Sequence, residues 1–180
     1  MVKRIVIIGP ESTGKSTLCK QLAAHFNTIW CPEYAREFLL TNGKEYSYED
    51  LLTIAKGQID LEDKYANELS IQANNNPLLF IDTDMYVMKV WCEYVFEKCH
   101  PYIITEIAKR QYDLYLLCNI DLPWIKDELR EYPDEQPRRE LFQLYKDILL
   151  NQAIPFIEIS GIEEERTRIA VEAIQAFINK

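Results

Sequence analysis

The chain has 180 residues and a mass of 21.2 kDa, which at roughly 150 residues per domain means one domain, 1–180, with room for a small lid. Its 20 Lys and Arg against 29 Asp and Glu leave a net charge of −9 and a pI near 4.8, which excludes a binder that tracks nucleic-acid phosphates with clustered cations. An anionic ligand must then be held by local groups rather than by the overall field.

The five cysteines (Cys19, Cys31, Cys92, Cys99, Cys118) form no C-x-x-C pair, and there are two histidines. That pattern reads as reduced thiols in a cytoplasmic protein rather than a zinc cluster. Met1-Val2-Lys3-Arg4 opens like a signal peptide, but the apolar run at 5–8 stops at Gly9 and is too short for a signal or membrane segment. No membrane or nucleic-acid partner is expected.

In chain order, continuous apolar runs lie at 5–8, 29–31, 78–81, 114–118 and 156–159, as parallel strands covered on both faces would require. Helical spacing follows the first run (Leu18, Leu22, Phe26). It recurs in a longer stripe (Leu52, Ala55, Ile59, Glu62, Ala66), then at Leu141, Tyr145, Ile148 and Leu149, and finally at Ile169, Ala173, Ile174 and Phe177. Asn74-Asn75-Asn76-Pro77 reads as a loop. Alternating strands and helices predict a three-layer α/β fold, with a central parallel sheet of about five strands and helices on both faces. In such sheets ligands sit beyond the carboxyl ends of the strands.

Gly9-Pro10-Glu11-Ser12-Thr13-Gly14-Lys15-Ser16 matches G-x-x-x-x-G-K-[ST] between a strand and a helix. Glycines let the backbone curl so that N–H groups and the helix N-terminus face phosphates. Lys15 would reach the β- and γ-phosphates, and Ser16 would ligate Mg²⁺. Residues Gly9, Glu11, Ser12, Thr13, Gly14, Lys15, Ser16 and Thr17 are the expected ATP-binding set.

Asp82, just past the third strand, stands where a second Mg²⁺-orienting group belongs; Asp84 is either part of the chemistry or a helix cap. Pro32-Glu33-Tyr34-Ala35-Arg36 ends the second strand with an acid, a ring and a guanidinium. Those are the groups a kinase needs at its acceptor, although Glu33 would equally suit a helix N-terminus. Segment 124–139, with Trp124, Arg130, Arg138 and Arg139, reads as a lid closing on phosphates. Asn119-Ile120-Asp121 lacks the lysine of a guanine-reading box and is discounted.

The ordered set of motifs resembles the ribosylnicotinamide kinase domain of the NadR family over essentially the whole chain. It runs through Gly9 to Ser16, Glu33 to Phe38 (E-Y-[GA]-R-E-F), Phe80 to Asp84 (F-I-D-T-D), Trp124 to Arg130 (W-x-x-D-x-L-R) and Pro155 to Ile159. The resemblance implies transfer of the ATP γ-phosphoryl to the 5′-hydroxyl of nicotinamide riboside. It implies Lys15, Asp82, Asp84, Glu33 and Arg130 as the catalytic group, with Glu33 and Asp84 on the ribose and one of them the base. Arg130 and Arg138 would close on the nucleotide, Ser16 and Asp82 would hold Mg²⁺, and Ser160-Gly161 would lie near adenine. Glu33, Tyr34, Arg36, Asp84, Tyr86 and Trp91 would meet the acceptor. The adenylyltransferase and helix-turn-helix parts often fused to this domain are absent here, so the sequence predicts neither completion of NAD synthesis nor repression. Two positions depart from the family: Pro32 replaces a tryptophan that stacks on nicotinamide, and Ala35 replaces a glycine. Trp30, Tyr34, Tyr86 or Trp91 could supply the ring. The alternatives are a kinase for another nucleoside or a vitamin-like alcohol, and a nucleotide-dependent switch.

Overall fold

A computed structural model describes residues 1–71, 77–130 and 132–179. Five strands form one sheet: β1 (Lys3–Ile8), β2 (Trp30–Cys31), β3 (Leu78–Asp82), β4 (Leu114–Cys118) and β5 (Phe156–Ile159). Their order is β2-β3-β1-β4-β5, and every neighbouring pair is parallel. The connections carry α1 (Lys15–His25), α2 (Tyr34–Asn42), α3 (Tyr48–Ile71), α4 (Met85–Phe96), α5 (Pro101–Lys109) and α6 (Glu135–Leu150), and α7 (Glu163–Ile178) closes the chain.

Alternation along the strands sorts the core into layers. Ile5, Ile7, Phe80 and Leu116 face α1 and α7, meeting Leu18, Leu22 and Ile174. Val6, Ile8, Ile81 and Leu117 face the other way, onto Leu69 of α3, Val90 of α4 and Leu141 and Leu149 of α6. A third cluster joins α2, α3, α4 and α5 around Leu51, Ile54, Met88 and Ile103. Every residue of β3 and β4 is buried, which explains their unbroken apolar runs. At the edge, β5 is exposed at Ile157 and Glu158, so the expectation of two covered faces does not extend to it.

The long stripe lies on α3 but is shifted: Leu51 is buried and Leu52 only half so, and the buried face includes the polar Gln58 and Glu62. Glu62 earns its place through Arg4, Arg110 and Tyr112, which donate to it at 3.2, 2.9 and 2.9 Å and tie α3 to the amino ends of β1 and β4. In the last helix the buried positions are Arg166, Ala170 and Ile174. The loop expected at 74–76 lies outside the described residues. Among the described residues, no helix is long and apolar enough to cross a membrane, and all five cysteines are free.

Candidate active site

The turn after β1 is built by backbone shape. Gly9 has φ 148° and passes so close to β4 that a Cβ there would lie 2.7 Å from the Cys118 carbonyl, so no other residue fits. Gly14, left-handed at φ 76°, occupies the N-cap of α1 and brings no side chain to it. The N–H groups of the first turn are therefore left facing the loop mouth, the ready-made anion site of a helix N-terminus. Thr13 braces the loop by donating to the Pro10 carbonyl at 2.7 Å. Lys15 Nζ donates to the same carbonyl at 2.8 Å, which holds its charge across the mouth.

The β1–β3 pairing sets Ile7 against Asp82 and so delivers a carboxylate to the loop. The Ser16 hydroxyl donates to Asp82 Oδ2. Asp82 is fully buried, and its Oδ1 has no partner among the described residues. A buried carboxylate oxygen with nothing to bind is costly, and with the Ser16 hydroxyl it makes the hard oxygen donor set that suits Mg²⁺. The residues present fit that ion.

At residue 83 the chain turns sharply. Thr83 has φ 78°, a strained conformation for a β-branched residue, and it separates the two aspartates. Asp84 does not reach the cleft. It caps α4, accepting from the N–H groups of Tyr86 and Val87 at 3.0 and 3.3 Å, and its other oxygen accepts from the Tyr115 hydroxyl at 2.8 Å. Burial raises its pKa to about 6. The expectation that Asp84 binds ribose gives way to the capping one, because both oxygens are already engaged.

Loop and acceptor residues share a cleft of about 540 Å³. It is lined on one side by Gly9 to Thr17 with Asp82, and on the other by Glu33 and Arg36 at the start of α2. Burial, and then the charge of Asp82, push the Glu33 carboxyl up to about 7, the range suited to a proton acceptor near neutrality. Five rings also line the cleft: Trp30, Trp91, Tyr94, Tyr132 and Tyr145. Of the four rings expected there, Trp30 and Trp91 line the cleft. The Tyr34 ring packs instead on Gly57 of α3, and Tyr86 lies against Tyr115 with ring centres 6.0 Å apart. Sequence reasoning missed Tyr94, Tyr132 and Tyr145. Tyr145 lay in a stripe read as core, and Tyr94 follows Val87 and Trp91 at helical spacing on a helix that had not been recognised.

Residues 123–130 and Tyr132 are fastened over the loop. Glu11 Oε1 accepts from Trp124 Nε1 at 3.1 Å and from the Tyr132 N–H at 2.7 Å. The Ser12 hydroxyl accepts from the Ile125 N–H at 3.1 Å. Arg36 makes a two-pronged pair with Asp127, at 3.2 and 2.9 Å, so its guanidinium binds this segment rather than facing the cavity alone. Arg130 lines the cleft and donates to the Ile125 carbonyl. Arg138 does not line it: its side chain is buried on α6, with Nε and Nη1 lacking partners among the described residues. Arg139 pairs with Glu135 on the helix surface.

Arg166 of α7 braces the far end, donating to the carbonyls of Thr13, Asn119 and Gly161 and to Asp121 at 2.7–3.0 Å. Asn119 and Asp121 are thus internal struts; Asn119 also donates to the Ser160 hydroxyl, and Asp121 accepts from the Gly161 N–H.

An all-parallel five-stranded sheet between helices, with a phosphate loop after the central strand, is the fold of the P-loop kinases. The chain belongs to the AAA-domain family, whose model matches residues 4–166, and within it is homologous to NadR. It is 33% identical over 171 residues to the "trifunctional NAD biosynthesis/regulator protein NadR" of Escherichia coli K12; the match takes in 91% of this chain and 39% of that protein. A crystal structure of NadR with NR (nicotinamide riboside) superposes with a TM-score of 0.81 at 25% identity, over 99% of this chain and 50% of that one. NadR with NAD and AMP-PNP gives 0.75 at the same identity and coverage. Thymidylate kinase from Ehrlichia chaffeensis shares the fold, with a TM-score of 0.68 at 13% identity and coverage of 97% and 98%. The chain therefore spans about two fifths of the curated relative and half of the NadR structures.

Proposed function

We propose that this chain is an ATP-dependent kinase that phosphorylates the 5′-hydroxyl of nicotinamide riboside, giving nicotinamide mononucleotide and ADP. The observation that carries the reading is one cavity lined together by the phosphate loop, by Asp82 and Glu33, and by aromatic rings. The relatives that bind NR or AMP-PNP supply the ligand chemistry.

The N–H groups of residues 11–17, in the loop and at the start of α1, would hold the β- and γ-phosphates, with Lys15 leaving the Pro10 carbonyl to bind them. Ser16 and Asp82 would hold Mg²⁺, which would supply charge neutralisation to the phosphates. Glu33 would orient the acceptor hydroxyl and take its proton. Phosphoryl transfer is loose, so positioning matters more than base strength. Segment 124–139 would act as the lid of a single domain, with Arg130 facing the transferring group and Trp124 and Tyr132 excluding water. The rings Trp91, Tyr94 and Tyr132 would take over the stacking that Pro32 does not offer a flat cationic ring, worth roughly 0.5–2 kcal/mol. Five free thiols suit a cytoplasmic location.

A second reading, a kinase for another nucleoside or a vitamin-like alcohol, is favoured by Pro32, which offers a flat cationic ring no aromatic face. The test is ADP release measured with nicotinamide riboside, neutral nucleosides, pyridoxal-like alcohols and no acceptor. Release that depends on nicotinamide riboside is expected. A preference of about tenfold or more for a neutral nucleoside selects the second reading, and release independent of every acceptor marks a nucleotide switch.

A further inference from the structure

A short polar side chain just before a helix ordinarily turns back onto the helix's own free N–H groups. Glu33 holds that position ahead of α2 yet makes no such bond; its side chain lines the cleft instead. The N–H that would otherwise go unanswered is met by another element. Gln58, halfway along α3 and 1% exposed, accepts from the Tyr34 N–H through Oε1 at 2.8 Å. Its Nε2 approaches the Pro32 carbonyl at 3.5 Å and the Cys31 sulfur at 3.7 Å. One buried amide therefore grips the backbone on both sides of Glu33.

The preceding residue completes the seat. Gly57 lies beneath the Tyr34 ring, where a Cβ would come within 2.1 Å of the ring. The ring and the N–H of Tyr34 are thus both fixed by consecutive residues of α3, which holds in place the backbone from which the Glu33 side chain enters the cleft.

We propose that Gly57 and Gln58 form the seat that positions Glu33, with Gln58 taking over the capping of α2 so that the carboxylate stays turned toward the acceptor hydroxyl. This rests on the kinase reading above. Gln58 does not touch substrate; it acts through Glu33.

A double-mutant cycle tests it. In folded Gln58→Met, which keeps the volume and removes both polar atoms, kcat for acceptor phosphorylation should fall about tenfold or more, while affinity for ATP·Mg²⁺ stays within about twofold. In a Glu33→Gln background the same change should cost nothing further, because the group it positions is already disabled. Gln58→Glu, held neutral by burial, keeps an oxygen for the Tyr34 N–H and gains an O–H for the Pro32 carbonyl, and should retain kcat within about threefold; it also serves if Gln58→Met does not fold. Unchanged kcat in Gln58→Met, an equal loss in the two backgrounds, or a loss in Gln58→Glu as large as in Gln58→Met overturns the inference while leaving the kinase reading standing. Absence of any acceptor-dependent transfer in the wild type overturns both.

Discussion

The ammonium of Lys15 rests on the Pro10 carbonyl, a neutral partner that a phosphate would displace. Lys15→Ala should leave the melting temperature nearly unchanged and lower kcat by about a hundredfold or more, on the order of 3 kcal/mol of transition-state stabilisation. Initial rates beside a thermal melt decide this. Asp84 behaves in the opposite sense, since its carboxylate is spent on the first turn of α4 and on the Tyr115 hydroxyl. Asp84→Ala removes a cap worth about 1 kcal/mol and leaves a buried hydroxyl unpaired for about 1–3 kcal/mol more. A denaturant titration should show a loss of ~2–4 kcal/mol, with kcat near wild type wherever the protein is folded. Asp82→Asn should instead raise the Mg²⁺ concentration needed for half-maximal rate about tenfold, because a neutral amide replaces the carboxylate paired with Ser16. That two acids end β3 is visible in the sequence. Their division of labour is not, because it is made by the left-handed turn at Thr83, a conformation that a threonine gives no reason to expect.

Between the phosphate loop and residues 123–130 and 132, the fastening runs through Glu11 and the Ser12 hydroxyl. Glu11 receives Trp124 at one end of the segment and the Tyr132 N–H at the other, and Arg36 holds its middle through Asp127. Glu11→Ala should release both ends together, raising ATP hydrolysis without acceptor relative to acceptor phosphorylation as water gains entry. A ratio equal to that of wild type would separate the segment from water exclusion. Sequence spacing placed Glu11 with the nucleotide. Its partners lie more than a hundred positions away, a distance that no local pattern conveys. The helices differ in legibility for a related reason. Those flanking the sheet on one side, such as α1 and α6, show a stripe; α4 is buried by the sheet, α3 and α6 on several sides, so its sequence is apolar nearly all round and its helical spacing is masked. The short α2 starts from residues whose chemistry drew the eye first, and Gln58 sits in an apolar stripe where a polar residue reads as noise.

The architecture was the most legible part, because 5–8 of β1, 78–81 of β3 and 114–118 of β4 are covered on both faces and form unbroken apolar runs. Strand order was not: β2 is a two-residue pairing, and the order depends on register between distant segments. That order, β2-β3-β1-β4-β5, has a consequence for the chain as it is made. The strand synthesised first is the central one, and both its neighbours come much later, starting at Leu78 and Leu114. Until β4 has emerged, at least one edge of β1 lies open, and the run Ile5 to Ile8 is an unpaired, aggregation-prone template that a chaperone could hold. Non-local parallel pairing of this kind is slow to form. Ribosome-held chains of increasing length should therefore remain sensitive to protease until Cys118 clears the exit tunnel and acquire resistance only beyond that point. Resistance in chains that end before Leu114 would mean that β1 and β3 fold alone.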